Sequence, residues 1–337
     1  MAALRRLLPA LILAAVVFLL AWNSLLKPRA EGPFRFTQLA MGTIFHVACY
    51  GVDEDTAARA SQQAFALLQR IESSLTRFRD DSELSRLNAS PEVALSVSEE
   101  FAACLRVSLA AGDVTDGYFD ISFLPLYEFW DWRGGRTSLP APASVAETLE
   151  RVGYRKISFD PVSRTVSLRK GMKIDLGGVA KGYAIGRMAA VLKKQGVSDG
   201  IIEGGGDLVV TASRSYTIGI QNPSGPRGIP VARLVVTGPA SVFTSGDYEQ
   251  YTTIDGKTYS HIIDPKTGYP AEGPKSATII ASEPTMTDAL ATALIAMGLD
   301  RAKEFARARN LPVVLISSSG EYHSSPAMAS HARLIRD

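Results

Sequence analysis

Residues 173–186 read KIDLGGVAKGYAIG. The stretch contains four glycines, two lysines and one aspartate, a composition that resembles a phosphate-binding loop. Gly177 and Gly178 allow backbone to approach a ligand closely. Gly182 is predicted to begin a helix whose free N–H groups attract anions, with Lys181 adding a positive charge. The stretch is neither a Walker loop, because Gly182 follows Lys181 where Ser or Thr is required, nor a GxGxxG motif. These residues alone leave phosphate binding and tight glycine packing as alternatives.

The surrounding pattern predicts an α+β fold, because strands and helices are mixed without regular β-α alternation. DGIIEGGGDLVVTA (199–212) is typical of two strands joined by a glycine turn, and TVSLRKGMKIDL (165–176) of a hairpin turning near Lys170-Gly171. A strand is predicted from Thr43. Apolar spacing and end signals predict helices over residues 55–75, 98–115, 182–195 and 285–297. A short helix is also predicted within the loop over 77–90, and a helix passing into a strand over 145–160.

Composition is that of an ordinary globular protein. The 337 residues are 46% hydrophobic and 21% charged, with a formal charge of +2. Without a run of Lys and Arg, this charge argues against nucleic-acid binding. Cys49 and Cys104 match no metal-site spacing, and two buried thiols are the favoured reading over a disulfide.

The N-terminus predicts a membrane anchor. After Arg5 and Arg6, residues 7–26 carry no charge, which is about the length of a bilayer-spanning helix. A cleaved signal peptide is the alternative, although no A-x-A-like cleavage site follows. Residues 1–30 are therefore predicted to form anchor and linker, before a domain over 34–325 outside the cytoplasm.

Two oxygen-bearing side chains share one predicted helix face. Asp288 and Thr292 are four residues apart in TDALATAL. A carboxylate and a hydroxyl suit Mg²⁺ better than zinc. The structural alternative is that Asp288 caps the helix and Thr292 bonds to a backbone carbonyl.

One of the four histidines stands out. His261 lies at a predicted strand end, three residues before the Asp264 turn, where it could serve as a base. A structural histidine is the alternative. Asp255-Gly256 predicts a hairpin turn just before it.

Two further segments lie between strands and are rich in small and polar residues. EGGGD (203–207) implies close packing of ligand or chain on its backbone, and TSGD (244–247) offers Thr244, Ser245 and Asp247. In isolation, both segments are equally consistent with structural turns and with ligand loops.

Eight motifs occur in order from about Phe36 to Ile316, and together they resemble the ApbE family of FAD:protein FMN transferases. They are MGTIFHV, FRDDSELSRLN, GYFDIS, DLGGVAKGYAIG, EGGGDLVV, TSGDYEQY, HIIDPKTGYP and TDALATAL. The resemblance implies an ApbE-like fold of mixed sheets and helices with the flavin site in a cleft. It also implies FMN transfer from the substrate FAD to a Thr or Ser hydroxyl of a flavoprotein, with release of AMP.

The resemblance assigns roles residue by residue. Implied Mg²⁺ ligands are the carbonyl of Gly178 and the side chains of Asp288 and Thr292, and His261 matches the histidine regarded as catalytic or positioning. Implied flavin contacts are Met41, Phe78, Tyr118, Phe119, Asp120, Asp175, Lys181 and Ile262. Phe78 stands where the family commonly has tyrosine, so stacking is kept while a hydrogen bond to the ligand is in doubt.

The family's partners are flavin-bearing subunits of sodium-pumping NADH:quinone reductase and of Rnf-type complexes. The resemblance therefore implies a catalytic domain on the periplasmic side of the bacterial inner membrane. Three alternatives stay open. One is an FAD pyrophosphatase that uses water as acceptor, and another is a non-catalytic FAD carrier, which would need neither metal nor base. The last is a lipoprotein or structural envelope protein, which explains the anchor but not the glycine-rich and polar loops.

Overall fold

The computed structural model describes residues 32–130, 138–212, 214–226 and 228–336. The predicted anchor at 7–26 lies outside these residues, as does part of the loop predicted over 130–142. No helix among the described residues is both long and apolar enough to cross a membrane.

The predicted α+β character is confirmed. The helices are α1 (Glu54–Leu75), α2 (Glu83–Ala89), α3 (Glu99–Val114), α4 (Pro142–Leu149), α5 (Gly177–Lys194), α6 (Pro284–Ala296) and α7 (Leu299–Ala308), with 3₁₀ turns over Ile121–Phe129, Tyr154–Lys156 and Pro326–Ser330. The strands are β1 (Phe34–Ala40), β2 (Thr43–Tyr50), β3 (Leu95–Ser96), β4 (Ser158–Asp160), β5 (Thr165–Ser167), β6 (Asp199–Gly204), β7 (Asp207–Val210), β8 (Ser215–Gln221), β9 (Pro230–Thr237), β10 (Ala240–Gly246), β11 (Tyr251–Ile254), β12 (Lys257–Ser260), β13 (Ser276–Ala281), β14 (Val313–Ile316), β15 (Tyr322–Ser324) and β16 (Ala332–Arg336).

The centre of the molecule is an eight-stranded sheet in the order β1-β2-β6-β7-β10-β13-β14-β15, antiparallel at every pairing. Its middle strands are buried on both faces. On β13, Ile279 faces the larger core and Ile280 the smaller one. This double burial explains why β14, with the sequence VVLI, is a continuous apolar run rather than an alternating one.

Different layers cover the two faces of this sheet. Helices α1, α3, α5 and α6 supply the larger core on one face. The three-stranded sheet β16-β9-β8 packs on the other face, where Leu234 and Val236 share an apolar cluster with Val242 of β10. A third apolar cluster joins the 3₁₀ turn Ile121–Phe129, α4 and the β11–β12 hairpin. It includes Leu126, Trp130, Val145, Ile254 and Ile263.

The signals for helix ends are largely confirmed. Ser98 caps α3 by accepting a hydrogen bond from the Phe101 amide. Gly196 and Gly298 follow α5 and α6 with positive φ, as expected for terminating glycines.

The predicted start of α5 is wrong. The helix begins at Gly177, not Gly182, so Gly182 lies inside it at its crossing with α6. A Cβ on Gly182 would lie 2.5 Å from the Pro284 carbonyl oxygen and 2.7 Å from Cβ of Asp288. The glycine is needed for close approach of two helices, a requirement that sequence spacing does not reveal.

The predicted hairpin over 165–176 is also wrong. β5 pairs with β4 and β3, and the residues after Gly171 form no strand. Gly171 does have φ +74°, so the turn exists. It leads to the start of α5 instead of to a paired strand.

Cys49 and Cys104 are both free and buried, as the favoured reading of two buried thiols predicts. Burial raises the pKa of both thiols, so neither is a reactive thiolate at neutral pH.

Replacing Gly182 by alanine is expected to destabilise the protein, whereas Gly186→Ala serves as the matched control. The Gly182 methyl group would meet backbone and a Cβ, at a cost of about 1–3 kcal/mol for overpacking. At Gly186 it would meet only the Pro284 ring, at 3.1 Å, and the better helix propensity of alanine offsets part of that cost. Thermal denaturation of both variants tests this prediction, and equal melting temperatures would contradict it.

Candidate active site

A buried carboxylate marks the crossing of α5 and α6. Asp288 is 4% exposed, and its Oδ2 accepts a hydrogen bond from the Gly182 amide at 2.8 Å. It does not cap α6, because Glu283 accepts hydrogen bonds from the Thr285 and Met286 amides at that end. The capping alternative for Asp288 is therefore wrong.

Thr292 lies one helical turn after Asp288 and comes close to the start of α5. Its hydroxyl is 3.1 Å from Oγ of Ser245 on β10, rather than bonded to a backbone carbonyl as the structural alternative had it. A Cβ on Gly178 would lie 3.5 Å from the Thr292 hydroxyl and 3.1 Å from the Phe119 ring. Gly178, Phe119 and Thr292 are thus neighbours, although distant in sequence.

Lys181 lies between two buried carboxylates. Its ammonium group forms an ion pair with Oδ2 of Asp207, whose Oδ1 accepts the Thr244 amide at 2.9 Å. Burial lowers the pKa of Lys181, but the charges of Asp207 and Asp288 outweigh it and raise that pKa overall. Lys181 is therefore charged at neutral pH.

The electrostatics of this cluster favour a cation. Burial, with the neighbouring Asp207 charge, raises the pKa of Asp288 to about 8. If Asp288 loses its proton beside the Lys181–Asp207 ion pair, this buried cluster carries one net negative charge. A bound cation would compensate that charge and hold Asp288 ionised.

The donor atoms also fit a hard divalent cation. No group of three or more His, Cys, Asp or Glu side chains in the described part of the chain is arranged to hold a metal. Hydroxyl and carbonyl oxygens must then complete a site at Asp288, and Thr292 and Gly178 are adjacent. The carbonyl of Gly178 lies in the first turn of α5, beside the Thr292 hydroxyl.

His261 follows β12 and is held against the segment after β10. Its amide and its Nδ1 lie 3.0 and 3.1 Å from the Gln250 carbonyl oxygen. Burial lowers the pKa of His261, opposed by the Gln250 hydrogen bond and by the charge of Glu249. The imidazole is thus neutral at pH 7, the form that can accept a proton.

An arginine connects two of the predicted flavin contacts. Nε of Arg77 lies 2.6 Å from Oδ2 of Asp175, whose Oδ1 accepts the Gly177 amide at 2.6 Å. The Arg77 guanidinium lies 4.4 Å from the centroid of the Phe78 ring, which is 77% exposed. Phe78 therefore offers a free aromatic face beside the start of α5.

Met41 lies at the tip of the β1–β2 hairpin. With φ +49° it forms the turn together with Gly42, and its amide donates to Oε1 of Glu72 at 2.6 Å. A Cβ on Gly205 would lie 3.0 Å from the Thr43 hydroxyl, so this hairpin tip adjoins the β6–β7 turn that leads to Asp207.

Three of the predicted flavin contacts, Tyr118, Asp120 and Ile262, have side chains that contact other parts of the protein. Asp120 is buried, and its carboxylate accepts hydrogen bonds from Ser122 and from the Tyr154 amide. The Tyr118 ring lies beneath Lys266 and Arg301, at 4.2 and 5.3 Å, in a surface cleft beside α7. Ile262 is buried, and its amide donates to Oγ of Ser260 at 3.1 Å. The side chains of Tyr118, Asp120 and Ile262 therefore make protein contacts that do not join them to the group formed by Gly178, Phe119 and Thr292.

Sequence reasoning missed two residues of this region, Asp207 and Arg77. Asp207 ends the quoted EGGGD motif, and an acidic residue entering an apolar strand is a usable signal of a buried partner. Arg77 follows directly after α1, where an arginine is ordinarily a solvated surface charge, so its position carries no signal.

Comparisons with known proteins point to one family. The model of the ApbE family matches residues 41–315. The chain is 30% identical over 292 residues to the FAD:protein FMN transferase of Salmonella typhimurium, covering 83% of each chain. It is 29% identical over 290 residues to that of Haemophilus influenzae, covering 82% of this chain and 84% of the relative.

Solved structures show the same fold. The ApbE protein of Thermotoga maritima superposes with a TM-score of 0.81 at 28% identity, covering 89% of this chain and 99% of its own. The flavin transferase ApbE of Vibrio cholerae gives 0.76 at 25% identity, covering 89% and 99%. The family match, these relatives and the shared fold together show that this chain belongs to the ApbE family.

Proposed function

We propose that this protein is a Mg²⁺-dependent FAD:protein FMN transferase, which moves FMN from FAD to a Thr or Ser hydroxyl and releases AMP. The observation that carries the proposal is the meeting of Asp288, Thr292 and Gly178 beside Lys181. It supplies oxygen donors and a fixed positive charge where a diphosphate would bind. The names of the curated relatives support the same activity.

The side chains of Asp288 and Thr292 and the carbonyl of Gly178 would hold the cation. When bound, Mg²⁺ would offset the negative charge that builds on the diphosphate as its anhydride bond breaks. Lys181, held by Asp207, adds a charge that needs no reorganisation during the reaction.

The flavin end of FAD would lie toward the open aromatic face. The exposed Phe78 ring stacks on it, with Arg77 behind, and Asp175 orders the first turn of α5. The full set of proposed flavin contacts is Met41, Phe78, Tyr118, Phe119, Asp120, Asp175, Lys181 and Ile262.

His261 would act as the general base. The acceptor hydroxyl oxygen bonds to the FMN phosphorus, the bond between that phosphorus and the bridging oxygen breaks, and AMP leaves with that oxygen. The hydroxyl proton passes to the neutral His261 ring. This step needs the unprotonated imidazole, which burial favours.

The pH dependence follows from the His261 pKa. Because that pKa is lowered from 6.5, the acid limb of the transfer rate at saturating FAD should be centred below pH 6.5. Glu249 opposes this shift, while Lys181 adds to it. Rates measured from pH 5 to 8 test the prediction, and an acid limb centred above pH 7 would contradict it.

The acceptor would be a flavoprotein subunit of a membrane redox complex, of the sodium-pumping NADH:quinone reductase or Rnf type. We also propose the periplasmic face of the inner membrane as the location, with residues 1–30 as anchor and linker and the catalytic domain over 34–325. The uncharged segment at 7–26 supports this arrangement.

The deciding experiment incubates the full-length chain with FAD, Mg²⁺ and a flavin-acceptor subunit. Flavin fluorescence on that subunit in a denaturing gel, dependent on Mg²⁺ and on the acceptor hydroxyl, is the expected result. AMP and free FMN without a labelled band would identify a hydrolase instead. Bound FAD with neither product would identify a carrier.

A further inference from the structure

Both backbone polar groups of His261 are hydrogen-bonded. Its amide and ring Nδ1 contact the Gln250 carbonyl, and its own carbonyl oxygen accepts a hydrogen bond from the Tyr127 hydroxyl at 2.8 Å. Gln250 lies in an exposed stretch between β10 and β11. The Tyr127 hydroxyl therefore adds a direct hydrogen bond to His261 from the third apolar cluster, beside the burial of the next residues, Ile262 and Ile263.

The Gln250 contact determines which ring nitrogen is basic. A carbonyl oxygen only accepts hydrogen bonds, so Nδ1 of His261 must carry the hydrogen. The lone pair is then on Nε2. This tautomer persists only while the ring stays aligned with Gln250, so it depends on the position of the His261 backbone.

Tyr127 is well placed to set that position. Its ring packs edge-on against Phe123, with centroids 4.9 Å apart, in the 3₁₀ turn that joins the third apolar cluster. Burial raises the pKa of the Tyr127 phenol, so its hydroxyl stays protonated and can donate at any physiological pH.

The same ring also adjoins the flavin side of the site. The Arg77 guanidinium lies 5.7 Å from the Tyr127 centroid and 4.4 Å from the Phe78 centroid, while its Nε pairs with Asp175. Arg77 therefore contacts both Phe78, the ring proposed to stack on the flavin, and Tyr127, the residue that hydrogen-bonds to His261.

We propose that Tyr127 is a positioning residue for His261: its hydroxyl holds the His261 carbonyl so that Nε2 faces the acceptor hydroxyl. This inference rests on the proposed FMN transfer. Tyr127 does not touch the reacting atoms and acts only through His261.

The kinetic test compares Tyr127→Phe with the matched control Tyr269→Phe, whose ring lies 6.0 Å from Trp130 in the same apolar cluster. We expect Tyr127→Phe to lower kcat about 3- to 10-fold, the effect of one hydrogen bond, with the KM for FAD unchanged. In a His261→Ala background the same change should have no further effect. An unchanged kcat, or an equal loss in that background, would overturn the proposal.

A second readout does not depend on transfer activity. The chain has four histidines, so NMR spectra of the full-length protein with ¹⁵N-labelled histidine are simple, and the His261→Ala variant assigns the signal. We expect Nδ1–H at His261 in the unaltered protein, and a mixture of tautomers in Tyr127→Phe. An unchanged tautomer would overturn the proposal. If His261→Ala transfers FMN at full rate, the proposed base is wrong, while the tautomer still decides whether Tyr127 orders the ring.

Discussion

Asp288→Asn is expected to reduce Mg²⁺-dependent FMN transfer by about 10²- to 10³-fold, because several kcal/mol of charge stabilisation depend on the cation that this carboxylate would hold. Asparagine keeps the size of the side chain and an oxygen that can accept the Gly182 amide. It removes the negative charge, which is the part that a cation requires.

The fold should survive this substitution. The pKa of Asp288 is raised from 3.8 to about 8, so the folded state holds a proton that the unfolded chain releases. The free energy of unfolding therefore falls as pH rises between those two values. A neutral asparagine does not titrate, so the variant does not lose this stability. Without metal at pH 8, the melting temperature of Asp288→Asn should equal or exceed that of the unaltered protein.

The matched control is Asp300→Asn on the neighbouring helix α7, where the carboxylate is fully exposed. Transfer and AMP release are measured for both variants over a range of Mg²⁺ concentrations. If Asp288→Asn transfers FMN within about threefold of the normal rate at low Mg²⁺, Asp288 is not a ligand of the metal. Equal losses in both variants would show that charge alone, rather than position, matters.

His261→Ala is the second substitution with a large expected effect. Loss of a general base costs typically 10²- to 10⁴-fold in rate, and we expect the turnover of FMN transfer to fall within that range. FAD binding should persist, because the proposed flavin contacts and Lys181 are untouched. Fluorescence titration of FAD and single-turnover transfer separate the two effects.

His46→Ala provides the control for this substitution. His46 lies on the exposed face of β2, where its Nδ1 is 2.9 Å from the Thr37 hydroxyl, and its removal should leave transfer unchanged. If His261→Ala abolishes FAD binding instead of turnover, the histidine is a ligand or structural residue. The pH limb below 6.5 should also vanish in His261→Ala.

Helices and turns that are determined by residues close together in the chain could be predicted from the sequence. The predicted helix over 55–75 is α1, and the Asp255-Gly256 turn joins β11 to β12 with both residues at positive φ. Each depends on side-chain period, a cap or a glycine within a few residues, which a single sequence displays directly.

Errors arose where a glycine has two physical uses. Gly182 reads as a helix start because glycine is common at helix ends, yet it serves the contact between α5 and α6. Gly171 reads as a hairpin turn, yet β5 finds its partners in β3 and β4. Strand partners and helix crossings depend on residues that are distant along the chain.

The sequence by itself therefore determines the α+β character, most helix ends and, through eight motifs in order, the ApbE family. Only the tertiary structure decides the long-range contacts of the site. The Gly182 amide donates a hydrogen bond to Asp288, 106 residues away, and Lys181 forms an ion pair with Asp207. The Tyr127 hydroxyl donates a hydrogen bond to the His261 carbonyl, 134 residues away. Those contacts depend on how helices and sheets pack, and packing is set by the whole core rather than by any local stretch.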